Sequence, residues 1–108
     1  MTPNTEPDSR RNYLRLEYQP EERPPITNRD QTFQVLDISR TGIRIWNDGE
    51  IKPKDRIRGQ LTLVSGQVLD VEGTVEWKYD NEFGLSLTHL IPASVLEKER
   101  TYVISHRS

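Results

Sequence analysis

Three arginines, Arg10, Arg11 and Arg15, stand within six residues where a polar opening stretch gives way to an alternating apolar run. A guanidinium is a rigid, permanently charged fork of donors. It pairs bidentately with phosphate or with the O6/N7 edge of guanine and stacks on aromatic planes, so one residue type can hold both halves of a nucleotide. Charge-assisted hydrogen bonds contribute about 1.5 to 3 kcal/mol each, enough for three or four of them to support useful affinity after ordering costs. The plainer reading of the cluster is a solvated basic patch facing Glu17 or the acidic opening stretch. A second group lies in Asp37-Ile38-Ser39-Arg40-Thr41-Gly42. It combines a carboxylate able to accept from guanine N1 and N2, a hydroxyl that donates and accepts, and a glycine that lets backbone approach a ligand. Its plainer reading is a turn in which Asp37 and Ser39 bond their own backbone.

Nothing comparable suggests catalysis. His89 and His106 have no HxxxH, HExxH or nucleophile-elbow context. Asp and Glu fill 17 of 108 positions, so chance neighbours are common, and none forms a recognisable acid/base pair. With no cysteine, a thiolate zinc site, a cysteine nucleophile and a disulfide framework are excluded. The sequence therefore predicts a protein that is not an enzyme and carries no cofactor or metal. A net charge of −2 argues against a broad basic face for long nucleic acid, so any anion site is local. The chain opens without a basic-then-apolar leader and has no apolar run near the roughly 20 residues that span a bilayer, so a cytoplasmic location without membrane insertion is expected.

The elements that must position these groups are mostly strands. A chain of this length fits one domain. Residues 1–9, MTPNTEPDS, read as a disordered arm, and 10–108 as the domain, with a barrel over about 14–90 and a helix over about 93–106. Leu14, Leu16 and Tyr18 alternate with Arg15 and Glu17 as in a half-buried strand. Pro20, Pro24 and Pro25 point to a loop or poorly paired edge over 19–31. TFQVLDI and GIRIW follow, joined by SRT. RIRGQLTLV and QVLDVEGTVEWKY are separated by Ser65-Gly66, read as a two-residue hairpin turn, and EFGLSLTHL follows a second turn at Asp80-Asn81. In the long strand Leu69, Val71, Gly73, Val75, Trp77 and Tyr79 fall on one face, and Gly73 suggests a bend or close approach. PASVLEKERTYVISHR changes period, with Pro92 in the first turn, Ser94 as N-cap, and a short apolar stripe suited to closing one mouth of the barrel.

RRNYLR followed by DISRTG resembles the paired signature of the PilZ domain, RxxxR and then D/NxSxxG. Arg11 and Arg15 match the first part, and Asp37, Ser39 and Gly42 the second. GTVEWKYDNEFGLSL looks like the family's later hairpin, so the likeness runs from Arg10 to the C-terminal helix. The resemblance implies an all-β fold, a six-stranded antiparallel split barrel with a C-terminal α-helix and a flexible N-terminal arm. It also implies a bacterial cytoplasmic receptor for the second messenger cyclic di-GMP. By that carry-over Arg11 and Arg15 contact phosphate and guanine, Asp37 and Ser39 read a guanine edge, and Gly42 keeps the turn tight. Trp77 resembles an outer-strand position that contacts ligand in some members; an aromatic filling the barrel's edge is the plainer reading. Arg10 stands where the family often carries a further arginine, a version that tends to bind a self-stacked pair of ligands. The expected partners are cyclic di-GMP and a downstream protein, with the chain a monomer or weak dimer. Two rival readings are a PilZ-like adaptor that acts without ligand and a small barrel for single-stranded nucleic acid. The second needs stacking platforms among basic residues, whereas Trp77, Tyr79 and Phe83 stand among acidic ones.

Overall fold

Apolar and polar residues alternate along most of this chain, a pattern that a half-buried strand satisfies by pointing successive side chains to opposite faces. The computed structural model describes residues 15–29, 31–47 and 49–107; the expected arm 1–9, Arg10, Arg11 and Leu14 lie outside the described residues. Among the described residues seven strands, β1 (Leu16–Glu17), β2 (Pro25–Asn28), β3 (Gln31–Ile38), β4 (Gly42–Trp46), β5 (Arg56–Thr62), β6 (Val68–Tyr79) and β7 (Glu82–Leu87), precede the helix α1 (Ala93–Ser105). The hydrogen-bonded order β3-β2-β5-β6-β7-β4 returns to β3 through the β3–β4 pairing, which closes a six-stranded antiparallel barrel. Closure removes the unpaired edges that an open sheet would expose. β1 is an extra strand added outside the ring on β3, with Leu16 opposite Ile38 and Glu17 opposite Asp37. The barrel and its C-terminal helix are the architecture expected from the sequence.

One stave of the barrel comes from a place the sequence reading treated differently. The segment 19–31, expected as loop or poorly paired edge, contains β2, which pairs with β3 on one side and β5 on the other. Pro25 is the first residue of that strand, a position where a proline is tolerated, and Ile26 behind it is fully buried. The prolines mark the entry to a strand rather than its absence. Ile26 joins Phe33, Val35, Ile45, Leu61 and Phe83 in a core where each is 0% exposed. Complete burial of such side chains contributes about 1.5 to 3 kcal/mol apiece.

The β5–β6 connection is also a correction. Leu63 N–H bonds the Gln67 carbonyl at 2.8 Å and Gly66 N–H bonds the Leu63 carbonyl at 2.9 Å, so Val64, Ser65 and Gly66 form a three-residue loop. Gly66 sits at φ 96, the left-handed residue such a loop requires. At the other hairpin Tyr79 faces Glu82 across Asp80-Asn81, the two-residue turn expected.

The helix begins at Ala93 with Pro92, not Ser94, in the N-cap position and with no side-chain cap. The Pro92 carbonyl already accepts from Val95 N–H at 3.0 Å and Leu96 N–H at 3.2 Å, which places Ser94 inside the first turn. Leu96 and Val103 enter the core, and between them Glu99 is wholly buried. Its carboxylate accepts from Tyr18 Oη at 2.7 Å and from the N–H groups of Val64 and Ser65, both at 2.9 Å. The helix, the residue that follows β1 and the β5–β6 loop thus meet on one side chain. Beyond the helix Arg107 grips Glu22 through two bonds of 2.9 Å and the Glu17 carbonyl at 2.8 Å, and the bond to Arg107 holds the Glu22 carboxyl below its ordinary range.

Burial, reinforced by the bond to Glu99, pushes the Tyr18 hydroxyl far above the ordinary phenol range. A group whose pKa is raised on folding lends stability that is complete below its unfolded pKa and is lost as pH rises. Above about pH 10, where the unfolded chain's tyrosine ionises and the folded one does not, stability should fall by about 1.4 kcal/mol per pH unit from this group. Melting curves between pH 8 and 11.5 on the wild type and Tyr18→Phe check this: the wild type should lose midpoint temperature more steeply, and parallel curves would refute the assignment.

Candidate functional site

Two β-bulges determine which side chains meet on the outside of the barrel. In β3 the register with β4 shifts between Val35 and Asp37, so that Asp37 stands opposite Arg44 while Val35 and Ile38 keep their inward partners Ile45 and Ile43. In β6 the register with β7 shifts between Val75 and Trp77, so that Trp77 stands opposite Gly84. Arg44 is itself opposite Gly84. Glu17, Asp37, Arg44, Gly84 and Trp77 therefore form one row across β1, β3, β4, β7 and β6. A bulge inserts one residue and re-aims those beyond it. That is why Trp77 and Tyr79 do not share the buried face of Val71 and Val75, as strict alternation predicted, but are 42% and 79% exposed. Gly84 gives the row its shape, because a Cβ there would fall inside the Trp77 indole.

Asp37 is the hub. Its side chain is almost fully buried, and its carboxylate is shared between two guanidiniums: Oδ1 accepts from Arg15 Nη1, and Oδ2 from Arg44 Nε at 2.7 Å. Arg44 also donates from Nη1 to Glu82 Oε1 at 2.8 Å. These bonds, that to Asp37 foremost, hold the Arg44 pKa above its already high value, so the group stays charged. The row opens into a cleft of about 610 Å3 lined by Arg15, Arg44, Asp37, Glu17, Glu76 and Trp77 among others. That volume lies within the ~300 to 1,000 Å3 typical of small-molecule sites. Among these charges two guanidiniums meet three carboxylates, and Asp37 already engages both guanidiniums. The wall can offer forked donors and an aromatic plane, but further positive charge must come from elsewhere, and Arg10 and Arg11 stand five and four residues before Arg15 in the chain.

The sequence-predicted residues fare differently. Arg15, Asp37, Gly42 and Trp77 converge on the cleft. Ser39 is 3% exposed, with its hydroxyl inside its own turn: Oγ accepts from Gly42 N–H at 3.1 Å and Thr41 N–H at 3.3 Å. Gly42 does not adopt a positive φ; its lack of a side chain instead lets β7 approach, since a Cβ would stand 3.0 Å from the Leu85 carbonyl. Arg10 and Arg11 lie outside the described residues. His106 stacks on Tyr102 with ring centroids 3.9 Å apart, and Nδ1 sits 2.8 Å from the Tyr102 carbonyl, a local structural role. A second cleft, also about 610 Å3, gathers Arg58, Asp70, Glu72 and His89 but none of the predicted site residues among those described. No three His, Cys, Asp or Glu among the described residues are grouped to hold a metal, and no helix among them is long and apolar enough to cross a membrane.

The sequence model of the PilZ domain family matches residues 9–105, nearly the whole chain. This chain belongs to the PilZ domain family. No curated protein matches it. PilZ domains bind cyclic di-GMP as a family and serve as binding or adaptor domains rather than as enzymes. In this PilZ domain the second motif is built as a hub: Asp37 holds guanidiniums while Ser39 and Gly42 shape the turn behind it. Arg40, between them, pins that turn to the approach of the helix through Nε to the Ile91 carbonyl at 2.9 Å.

Sequence reading missed Arg44 and Glu82. Within GIRIW, Arg44 is the polar residue between two buried isoleucines, which looks like any solvent-facing strand position. Its spacing of two from Gly42 was the available signal, but only the cross-strand register puts it opposite Asp37.

Proposed function

We propose that the cleft between β1, β3, β4, β7 and β6 binds cyclic di-GMP and that the chain is a receptor which passes the signal to a protein partner in the bacterial cytoplasm. The observation that carries this reading is Asp37 holding the guanidiniums of Arg15 and Arg44 on a wall that ends in Trp77. Phosphate takes forked donors well, and the purine faces suit the Trp77 indole and the arginine planes. In this reading Arg11 and Arg15 contact phosphate and guanine, and Arg10 supplies the further charge that a stacked ligand pair would require. Asp37 and Ser39 lie behind the site, presenting the arginines and the turn, with Asp37 able to accept from a guanine edge when an arginine moves onto phosphate. The arginines sit at the root of the N-terminal segment. Neutralising their charges would draw that segment onto the barrel and alter the surface offered to a partner, which is how a binding domain would report its ligand.

A calorimetric titration of the full chain with cyclic di-GMP, paired with native mass measurement, tests ligand and stoichiometry together. Saturable binding is expected, and Arg15→Ala should weaken it about 30-fold, the loss of one good charge-assisted contact. His89→Ala should leave it unchanged. No heat and no thermal shift would instead favour a PilZ adaptor that works through protein contacts alone, a role to which the acidic walls at Glu17 and Glu76 would be no obstacle.

A further inference from the structure

We propose that Arg44 is a ligand-contacting, affinity-determining residue of this cleft, and that Glu82 is an internal competitor whose place on Arg44 the ligand's phosphate takes. The inference rests on the cleft being the cyclic di-GMP site.

Placement is the first argument. Arg44 lies between the two bulges of the barrel: Asp37, re-aimed by one, is its partner on β3, and Gly84, the partner of Trp77 beyond the other, is its partner on β7. Because Gly84 has no side chain, the Trp77 indole lies directly over it, in the same row as Arg44. Arg44 lines the same cleft as Arg15 and keeps 35% of its side chain exposed.

Stoichiometry is the second. Asp37 needs one cation for neutrality and has two. Of the five N–H donors of the Arg44 guanidinium, one goes to Asp37 and one to Glu82, which leaves three. A guanidinium anchored through Nε by a buried carboxylate, with most of its fork unspent at the wall of a cleft, is oriented for a further anion.

Magnitude is the third. Glu82 is 38% exposed, and an ion pair so open to water adds little to stability. A charge-assisted bond to a ligand phosphate inside the cleft is worth more, because fewer waters compete for it. The exchange therefore runs toward the ligand, and Glu82 returns to solvent at little cost while continuing to oppose the phosphate's charge. Glu82 thereby lowers the affinity that Arg44 raises.

The test is a set of cyclic di-GMP titrations by calorimetry on the full chain, as wild type, Arg44→Ala, Arg44→Lys and Glu82→Gln, each with a melting curve. Arg44→Ala should bind about tenfold more weakly. Arg44→Lys, which keeps the charge and loses the fork, should fall between it and the wild type. Glu82→Gln should bind about threefold more tightly, with a melting temperature equal to or below that of the wild type. A merely structural Arg44 leaves the affinity of Glu82→Gln unchanged, whatever its melting temperature. Binding by Arg44→Ala within twofold of wild type, or no gain in Glu82→Gln, overturns the inference alone. A wild type that does not bind overturns the dinucleotide reading and the inference with it. If Arg44→Ala does not fold, the lysine and glutamine variants decide.

Discussion

Alanine in place of Asp37 should weaken cyclic di-GMP binding about 100-fold, because one carboxylate orients two arginines and each contributes on the order of a tenfold change or more. Three facts set that size. Asp37 is 2% exposed, so it meets the ligand mainly through what it holds. Both of its oxygens are engaged, Oδ1 by Arg15 and Oδ2 by Arg44. The two guanidiniums are 46% and 35% exposed, so once released they rehydrate and sample many rotamers instead of collapsing into the barrel. The same exposure limits the loss of stability to about 1 to 3 kcal/mol, less than burial of the carboxylate alone would suggest. Asp37→Asn separates orientation from shape. It keeps the volume and one acceptor, and the motif admits either residue here, but its amide N–H2 is turned against one of the two guanidiniums, so it should bind between the alanine variant and wild type while melting closer to wild type. Calorimetry with melting curves on both variants provides the check; binding by Asp37→Ala within threefold of wild type would remove Asp37 from the site.

Why Asp37 was legible in the sequence and Arg44 was not is a matter of which information is local. The spacing from Arg11 to Arg15 and from Asp37 through Ser39 to Gly42 survives in the linear chain, so the motif could be read without any fold. Pairing across strands does not survive there. Arg44 becomes a site residue only through its register with Asp37 and Gly84, and that register depends on an extra residue in β3. The bulge in β6 is equally hidden: VEGTVEWKY alternates without a break, so strict period two carries Trp77 inward, whereas the shift after Val75 carries it outward to the cleft. The general outline was accessible because buried strands write their period into the sequence. β2 was obscured for the opposite reason: its flanking prolines suggested a break, and a single isoleucine in a four-residue strand is too short a pattern to outvote them. The helix showed its stripe in Leu96 and Val103, but nothing in the linear sequence marks the glutamate between them as buried.

That glutamate leads to the largest expected effect on stability. Glu99→Ala should cost about 4 kcal/mol, a large share of the roughly 5 to 15 kcal/mol that holds a domain of this kind together. The fully buried carboxylate has three donors, the Tyr18 hydroxyl and the backbone N–H groups of Val64 and Ser65. Tyr18 is buried and would be left without a partner, at about 2 to 3 kcal/mol. Val64 and Ser65 are half-buried, so water can reach their N–H groups, and their share is smaller, about 1 kcal/mol together. The void where the side chain lay adds the remainder. Glu99→Gln retains shape and acceptor but turns an N–H2 toward one donor, so about half the loss is expected. Denaturant unfolding at pH 7 measures the loss, and an alanine variant within 1 kcal/mol of wild type would show that the helix is held by Leu96 and Val103 without the carboxylate. None of Tyr18, Val64, Ser65 and Glu99 lines the binding cleft, so a Glu99→Gln variant that still folds should bind cyclic di-GMP as wild type does.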